Sequence, residues 1–274
     1  MMKKYYDSVE GRLVYTGEPA TAEFWDNHWI KGVVRENIKK RSRFLEKTTR
    51  RFLPHRSRIL EGGCGVGTHV YSLQKAGYQA FGVDFARQTV ARVKSAVPEL
   101  NISVCDVRSL SFKDNYFDGY WSLGVIEHCY EGYDDILHEM ARVIRPGGYL
   151  FLTFPHMHCV RKMKANKKKY EALPSEFDPN KNKFYQFALD SKKVVDTVIR
   201  AGFKLKYCEQ MDGVKGIKDE VKFLRKALQK IYDSRMLSSR VVKYFLDVIL
   251  RRLVGHTILL VFQRACPDEG RRTR

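Results

Sequence analysis

Short apolar runs alternate with helix-length stretches throughout residues 57–155. The runs have the composition of strands, and they occupy 58–60, 80–84, 101–106, 117–126 and 149–154. Strands that alternate with amphipathic helices favour a parallel sheet covered by helices on both faces. In such sheets, ligands bind outside the carboxyl ends of the strands. The pattern therefore predicts an α/β fold and also the edge of the sheet where a functional site is expected.

A glycine-rich loop, GGCGVG, follows the first of these apolar runs and precedes a helix. Glycine allows positive φ and close approach of backbone to a ligand, as in phosphate-binding loops. A Walker loop would need a lysine after Gly67, and a dinucleotide loop would need a third glycine where Thr68 stands. Glu61 directly before the glycines would repel a pyrophosphate and would suit a ligand that carries positive charge. The loop thus disfavours both phosphate-binding alternatives.

Acidic residues end three successive predicted strands, at Glu61, Asp84 and Asp106. A carboxylate at the end of the second strand can accept both hydroxyls of an adenosine ribose. One at the end of the third strand can accept the adenine amino group. Each acid alone is also explained as the cap of the following helix. The three together with the glycines favour a site for a cationic adenosine cofactor.

These motifs resemble those of the class I S-adenosylmethionine-dependent methyltransferases, especially the small-molecule group called type 11. The stretches that carry the resemblance are ILEGGCGVG (59–67), GVDFA (82–86), CDVRSLSFKDNYFDGYWSLGVIEH (105–128) and IRPGGYLFLTFP (144–155). It continues over 184–205. The resemblance implies a doubly wound, seven-stranded, mostly parallel sheet of the Rossmann-like methyltransferase fold, with added helical substrate and lid segments. It also implies that the last strand, 256–265, inserts antiparallel beside the fifth.

The resemblance implies S-adenosylmethionine as cofactor and S-adenosylhomocysteine as product. The glycines would cradle the methionine end and Glu61 its ammonium group, Asp84 would hold the ribose, and Asp106 the adenine amine. The full set of implied cofactor residues is Glu61, Gly63, Gly65, Gly67, Asp84, Phe85, Asp106, Val107, Ser122 and Leu123. Two departures from the common family pattern, Gly62 and Val66, are minor.

Histidines near the same edge are candidates for a general base. His128 follows the fourth strand, where the resembled group often borders the acceptor, although it would equally fit a packed helix start. His156 and His158 follow the fifth strand as second candidates, and no acid cluster supports a metal site between them. Trp25 and Trp29 share one face of an N-terminal helix that would close over the cofactor or pack in the core.

The motifs divide the chain into six segments. They are an N-terminal helical lid (1–56), the cofactor-binding core (57–155), a basic insertion (156–189), a core helix with the sixth strand (190–211), a helical insertion (212–255) and the last strand with a tail (256–274). Six scattered cysteines without a C-x-x-C pair, and an N-terminus without a signal-peptide apolar region, predict a reduced cytoplasmic location.

The basic second part of the chain bears on the partner. The formal charge is +19, and residues 161–274 contribute +15 of it. Such asymmetry favours an anionic neighbour, a solvated surface being the plain alternative. Within the apolar stretch 241–254, Lys243, Asp247 and Arg251 form one polar stripe. That helix is interpreted either as a packed subdomain helix, as an interfacial membrane helix or as a dimer contact.

The expected function is methyl transfer to oxygen or carbon of a small acceptor, which could be lipid-linked, a quinone or a glycan precursor. WSLG stands where nucleic-acid amino-methyltransferases carry [D/N]-P-P-[Y/F], so nucleic acid is a less favoured partner. An RNA or protein methyltransferase that docks through its basic part, and a non-catalytic binding protein of the same fold, remain the alternatives. A peripheral membrane contact is compatible with the first hypothesis, and an oligomer is left open.

Overall fold

The computed structural model describes residues 3–225, 228–230, 234 and 237–266. The strands are β1 (Lys3–Asp7), β2 (Arg12–Thr16), β3 (Arg58–Gly62), β4 (Gln79–Asp84), β5 (Ile102–Val104), β6 (Phe117–Leu123), β7 (Ile144–Pro155), β8 (Glu171–Ala172), β9 (Phe184–Ala188), β10 (Phe203–Met211) and β11 (Thr257–Arg264). The helices are α1 (Ala22–Trp29), α2 (Arg35–Ile38), α3 (Arg43–Phe52), α4 (Thr68–Lys75), α5 (Arg87–Ala96), α6 (Asp134–Val143), α7 (Cys159–Asn166), α8 (Ser191–Arg200), α9 (Gly213–Glu220) and α10 (Leu237–Val254).

The main sheet has seven strands in the order β10-β11-β7-β6-β3-β4-β5. Strands β3 to β7 run parallel to one another, and β11 lies antiparallel between β7 and β10. The predicted α/β fold is therefore confirmed, including the antiparallel last strand. Helix α8 is capped at both ends: Asp190 Oδ1 accepts from Lys192 N at its start, and Gly202 has positive φ after its end.

The sheet is packed on both faces, because its strands alternate side chains between two apolar layers. On β7, Leu150, Leu152 and Phe154 face the layer that contains α6 and α8, whereas Phe151 stacks on Trp121 in the layer of α3, α4 and α5. In both layers the aliphatic and aromatic side chains are almost completely buried. This packing holds the carboxyl ends of the central strands in one rigid row.

One predicted segment differs from the structure at the N-terminus. Residues 1–56 were expected to be a helical lid, but β1 and β2 form a hairpin that turns at Gly11, with φ 65°. The hairpin pairs with β9 through β2 and with β8 through β1, giving a second sheet in the order β8-β1-β2-β9. Two short runs that contain tyrosine, KKYYD and RLVYT, flank a glycine turn, which is a hairpin signal in the sequence. The rest of that region does contain helices, α1 to α3.

The second sheet meets the main sheet at the end of β7. His156 and Leu189 form an isolated parallel bridge there, and Leu189 N donates to Pro155 O at 2.9 Å. The segment between them, expected to be a basic insertion, contains α7, β8 and β9.

Within the part of the chain that the structure describes, no helix combines the length and the apolar composition that a membrane span requires.

Candidate active site

A cavity of about 330 Å³ opens at the carboxyl ends of the central strands. It lies on the edge that the sequence predicts, and its volume is within the range of small-molecule sites. Its lining residues are Ala20, Trp25, Trp29, Gly63, Asp84, Phe85, Cys105, Asp106, Val107, Arg108, Leu123, Gly124, Val125, His128, Cys129, Tyr130, Glu131, Gly132 and Ile136. Six of the ten proposed cofactor residues are therefore brought together on one surface.

The glycine loop is built so that only glycine fits its key positions. Gly63, Gly65 and Gly67 have φ of 73°, 50° and 74°, in the left-handed region that disfavours other residues. A Cβ atom on Gly63 would lie 2.7 Å from Val125 Cγ2, and one on Gly65 would lie 2.9 Å from Trp29 Cε2. The loop backbone thus passes directly under side chains that line the cavity.

The departure at Gly62 has a structural reason. Tyr120, fully buried on the neighbouring strand β6, places its ring and hydroxyl where a side chain on Gly62 would stand. The large tyrosine fills the space that an apolar residue at 62 would occupy. Position 62 is therefore part of the sheet packing beneath the loop.

Glu61 lies beneath the glycine loop, outside the cavity lining. Its side chain is buried, and Oε1 lies 3.0 Å from His69 Nδ1 on α4. Oε2 has no hydrogen-bond partner among the described residues. Burial lowers the pKa of His69, but the charge of Glu61 and its hydrogen bond to the ring together more than offset this and leave that pKa above its ordinary value. Glu61 therefore keeps one buried acceptor oxygen next to the loop.

Asp84 ends β4 and lines the cavity while bonding the loop. Its Oδ2 accepts from Gly65 N at 2.8 Å and its Oδ1 from Ala86 N at 2.9 Å. Burial raises the pKa of this carboxyl, and the two backbone donors oppose that shift. Since a carboxylate offers about four lone-pair positions, acceptor capacity remains on the cavity side.

Asp106 also lines the cavity, but Arg108 holds its carboxylate. Arg108 Nη2 donates to Asp106 Oδ2 at 2.6 Å, and Arg108 Nε donates to Oδ1 at 3.0 Å. Hydrogen bonds from Arg108, opposed by burial, lower the pKa of Asp106. No role was predicted for Arg108, although its place two residues after a strand-end acid is visible in the sequence.

The remaining expected cofactor residues divide between cavity and interior. Phe85, Val107 and Leu123 line the cavity. Ser122 is fully buried in β6, where it pairs with Gly62 in the parallel register. Gly65 and Gly67 shape the loop without lining the cavity.

The N-terminal tryptophans cover the loop and reach the histidine. Trp25 and Trp29 stack at 6.0 Å with 18° between the rings, and Trp25 packs edge-on against His128 at 5.2 Å. Their helix α1 is fixed by Asp26, whose Oδ1 accepts from Thr89 N at 2.7 Å and so caps α5. Sequence analysis missed Asp26 because its partner lies more than 60 residues away.

His128 lines the cavity with one ring nitrogen anchored. Its Nδ1 lies 2.7 Å from the carbonyl oxygen of Tyr185, which requires Nδ1 to carry the proton as donor. Burial lowers the pKa of His128, and the bond to the Tyr185 carbonyl partly opposes this. The imidazole is therefore neutral near pH 7, with Nε2 as the basic nitrogen.

The carbonyl of Tyr185 is free because β9 bulges there. Tyr15 of β2 pairs with Gln186 and Thr16 pairs with Phe184, so Tyr185 is the extra residue on its strand. A bulge leaves such a residue outside the ladder and redirects its groups, often beside an active site. The second sheet thus orients the histidine of the first.

Glu127, next to His128, is a buried acid that the sequence analysis did not select. Its Oε1 would lie 3.3 Å from a Cβ atom on Gly124, a lining residue. Burial raises the pKa of Glu127 to about 8. The carboxyl is therefore mostly protonated at neutral pH.

His156 and His158, the second candidates for a base, lie outside this cavity and are buried near Arg161. Burial, with the charge of Arg161, lowers the pKa of His156 to about 4 and that of His158 to about 3. Arg161 is itself fully buried and contacts Glu220 and His256. No group of three or more potential metal-binding side chains occurs within the described ranges.

Comparison with known proteins finds methyltransferases. Residues 60–152 match a family described as methyltransferase domain. A probable S-adenosylmethionine-dependent methyltransferase of Mycolicibacterium smegmatis is 30% identical over 98 residues, which are 36% of this chain and 38% of that protein. Phthiotriol/phenolphthiotriol dimycocerosates methyltransferase 1 of Mycobacterium ulcerans is 32% identical over 100 residues, covering 35% of this chain and 36% of the relative. The chain thus matches little more than a third of the length of these relatives.

Solved structures share the fold at low sequence identity. The [4+2]-cyclase SpnF superposes with a TM-score of 0.55 and 18% identity, over 91% of this chain and 98% of that one. This likeness concerns the fold alone, whereas the sequence match covers the glycine loop, the strand-end acids and the fourth and fifth strands. Residues 60–152 of this chain are thus similar in sequence to a methyltransferase domain, and the fold is similar to those of solved S-adenosylmethionine-dependent methyltransferases.

Proposed function

We propose that this protein transfers a methyl group from S-adenosylmethionine to an oxygen or carbon of a small, largely apolar acceptor. Quinones and lipid-linked compounds, including lipid-linked glycan precursors, are the acceptor classes. The observation that carries the proposal is one cavity that combines a glycine cradle, two strand-end acids and an anchored neutral imidazole. The phthiotriol/phenolphthiotriol dimycocerosates methyltransferase of Mycobacterium ulcerans, at 32% identity over 100 residues, supports a small-molecule or lipid acceptor.

The residues present fit the cofactor on features of this structure. Gly63 lines the cavity and presents only backbone there, which a ligand can approach closely. Glu61 would take the ammonium group through its unpartnered buried oxygen, and Asp84 would take the ribose. Asp106 would bind the adenine amine after Arg108 gives up part of its contact. When bound, S-adenosylmethionine supplies a methyl group on a positively charged sulfur.

The chain's own residues would contribute orientation, water exclusion and proton transfer. Trp25 and Trp29 cover the loop and would shield the reacting centre from water, which helps a displacement that depends mainly on alignment. For a hydroxyl acceptor, His128 would take the proton on Nε2 while the new oxygen–carbon bond forms and the sulfur–carbon bond breaks. The Tyr185 carbonyl would stabilise the resulting imidazolium through Nδ1–H.

Much of the cavity lining outside the proposed cofactor residues is apolar. Val125, Cys129 and Ile136 provide aliphatic and thiol surface, and Tyr130 adds an aromatic ring. Apolar lining with a few placed polar groups is typical of small-molecule sites. This lining favours a hydrophobic acceptor over a nucleotide base that needs several polar partners.

The test has two steps. Calorimetry should show that the wild type binds S-adenosylmethionine, that Asp84→Ala abolishes or strongly weakens binding, and that Asp114→Ala leaves it unchanged. Asp114 is a matched control because it is an exposed aspartate that pairs with Arg142. Labelled cofactor should then transfer its methyl group to a compound in lipid, quinone or glycan-precursor extracts. Absence of cofactor binding would refute the proposal, and labelling of RNA instead would refute the acceptor class.

A further inference from the structure

The polar stripe of α10 faces the protein. Asp247 Oδ1 accepts from Val214 N at 3.1 Å, so it caps the start of α9. Arg251 Nη1 donates to Glu209 Oε1 on β10 at 2.8 Å. In an ordinary surface helix such groups face water and the apolar side faces the core. In α10 the orientation is the opposite one, since Asp247 and Arg251 of the stripe face the protein.

Close backbone packing fixes this orientation. A Cβ atom on Gly213 of α9 would lie 2.5 Å from Arg251 N, and one on Gly216 would overlap the carbonyl of Val254. The thiol of Cys159, at the start of α7, lies 2.7 Å from Leu253 O. Because these contacts involve the backbone of the last turns, α10 cannot roll its apolar side inward without losing them.

The outward side of α10 is apolar and aromatic. Phe245, Ile249 and Leu253 recur every four residues and are 60%, 67% and 63% exposed, and Tyr244 beside them is 65% exposed. Val242 and Val248 extend the same surface. We call this set, Val242, Tyr244, Phe245, Val248, Ile249 and Leu253, the outer face. Contiguous apolar surface of this kind marks an interaction site.

The charge of the chain favours an anionic partner over a second copy. Arg252 is exposed on the same side of the helix, three residues after Ile249, and α7, which starts beside Leu253, is followed by exposed lysines at 167–169. Residues 161–274 carry a net charge of +15 and the chain +19. A second copy would therefore bring two strongly basic surfaces together, whereas an anionic surface would be attracted.

We propose that the outer face of α10 docks on an anionic lipid bilayer, with the helix lying in the interfacial plane. Its 18 residues span about 27 Å, and bulky apolar side chains beside arginine and lysine are the composition of interfacial helices. The apolar residues would enter the headgroup boundary while Arg252 and the lysines contact lipid phosphates. This surface is distinct from the cavity, so the inference does not rest on the proposed methyl transfer.

Vesicle flotation tests the proposal with the full chain. We expect the wild type to float with vesicles of phosphatidylcholine and phosphatidylglycerol, and to bind vesicles of phosphatidylcholine alone at least tenfold more weakly. Ile249→Asp should lower binding to the anionic vesicles at least tenfold. Ile199→Asp is the matched control, since Ile199 is also an exposed helical isoleucine, and it should bind as the wild type does. Circular dichroism verifies that both variants fold.

Each other outcome would overturn the proposal. Equal flotation of Ile249→Asp and the wild type would remove the outer face as the docking surface. Equal binding to both vesicle types would remove the charge argument. A concentration-dependent dimer that Ile249→Asp dissociates, with no flotation, would assign the face to a second copy. RNA binding that is lost in Ile249→Asp, again with no flotation, would assign it to nucleic acid.

Discussion

The contact between the glycine loop and Trp29 yields a quantitative prediction. In Gly65→Ala, the new methyl group would lie 2.9 Å from Trp29 Cε2, closer than real Cβ contacts allow, at a φ of 50°. Backbone strain of a left-handed non-glycine residue costs about 1 to 2 kcal/mol. The indole must also move, which opens the cover over the loop. We expect affinity for S-adenosylmethionine to fall at least about tenfold, equivalent to about 1.4 kcal/mol.

Gly11→Ala separates strain from displacement of the indole. Gly11 has a similar φ of 65°, and a Cβ atom there would meet nothing within 4 Å. Its variant should lose about the same 1 to 2 kcal/mol of unfolding free energy in urea while binding the cofactor normally. Calorimetry measures the affinities. Trp29→Leu in the Gly65→Ala background should restore part of the affinity, because the smaller side chain makes room.

Two results would refute this reasoning. Equal cofactor affinity in Gly65→Ala and Gly11→Ala would show that the contact with Trp29 has no role in binding. A double variant that binds no better than Gly65→Ala would show that the loss comes from the backbone rather than from the indole.

Three further predictions concern buried polar groups. Glu220→Gln should lower the unfolding free energy by about 3 to 5 kcal/mol, because it leaves Arg161 buried without its carboxylate. Burial alone would raise the pKa of Glu220, but Lys4 and Arg161 lower it to about 2. The stability that the ionised carboxylate contributes to the wild type is therefore full above pH 4.5 and is lost as the pH falls towards 2. Unfolding experiments over a range of acidic pH measure this loss. His128→Gln should remove the acid limb of the kcat/KM profile for a hydroxyl acceptor; in the wild type that limb lies below pH 6.5, because burial lowers the pKa of His128. Asp26→Ala should cost about 1 to 2 kcal/mol of stability as a lost helix cap and also weaken cofactor binding, as urea unfolding and calorimetry measure.

Each of the three has a result that contradicts it. A Glu220→Gln protein as stable as the wild type would show that the ion pair contributes nothing net. An unchanged acid limb in His128→Gln would assign the titration to another group. Asp26→Ala with lower stability but normal cofactor affinity would confine Asp26 to capping α5.

The edge of the sheet that carries the proposed cofactor site could be predicted from the sequence, because the residues that define it lie close to their strands in the chain. Each acid stands at or within two residues of the end of its strand, so the parallel topology alone places Glu61, Asp84 and Asp106 along one edge of the sheet. The sequence did not predict the hydrogen bonds of these carboxylates: Asp106 accepts from Arg108, and Asp84 accepts from the backbone of the glycine loop. Side-chain partners two or nineteen residues away leave no periodic signal, so the pattern gives position but not hydrogen bonding.

The second sheet and the direction of α10 required long-range information. Pairing of β2 with β9 joins residues that are more than 160 positions apart, and no periodicity reports such pairing. For α10, the sequence shows a polar stripe but not which side the body covers. That choice depends on Glu209, Val214 and the glycines of α9, all of which lie outside the helix.

Because of the bulge at Tyr185, a change in the length of β9 would also change the hydrogen bonding of His128. Deleting one residue there would let β2 and β9 pair without interruption and would improve the regularity of the ladder. The same deletion would return the carbonyl at 185 to the strand pairing and leave His128 Nδ1 without its acceptor. The ring could then adopt the other tautomer and present a protonated nitrogen to the cavity. At this position, a more regular pairing of β2 with β9 would therefore remove the contact that keeps Nε2 of His128 free to accept a proton.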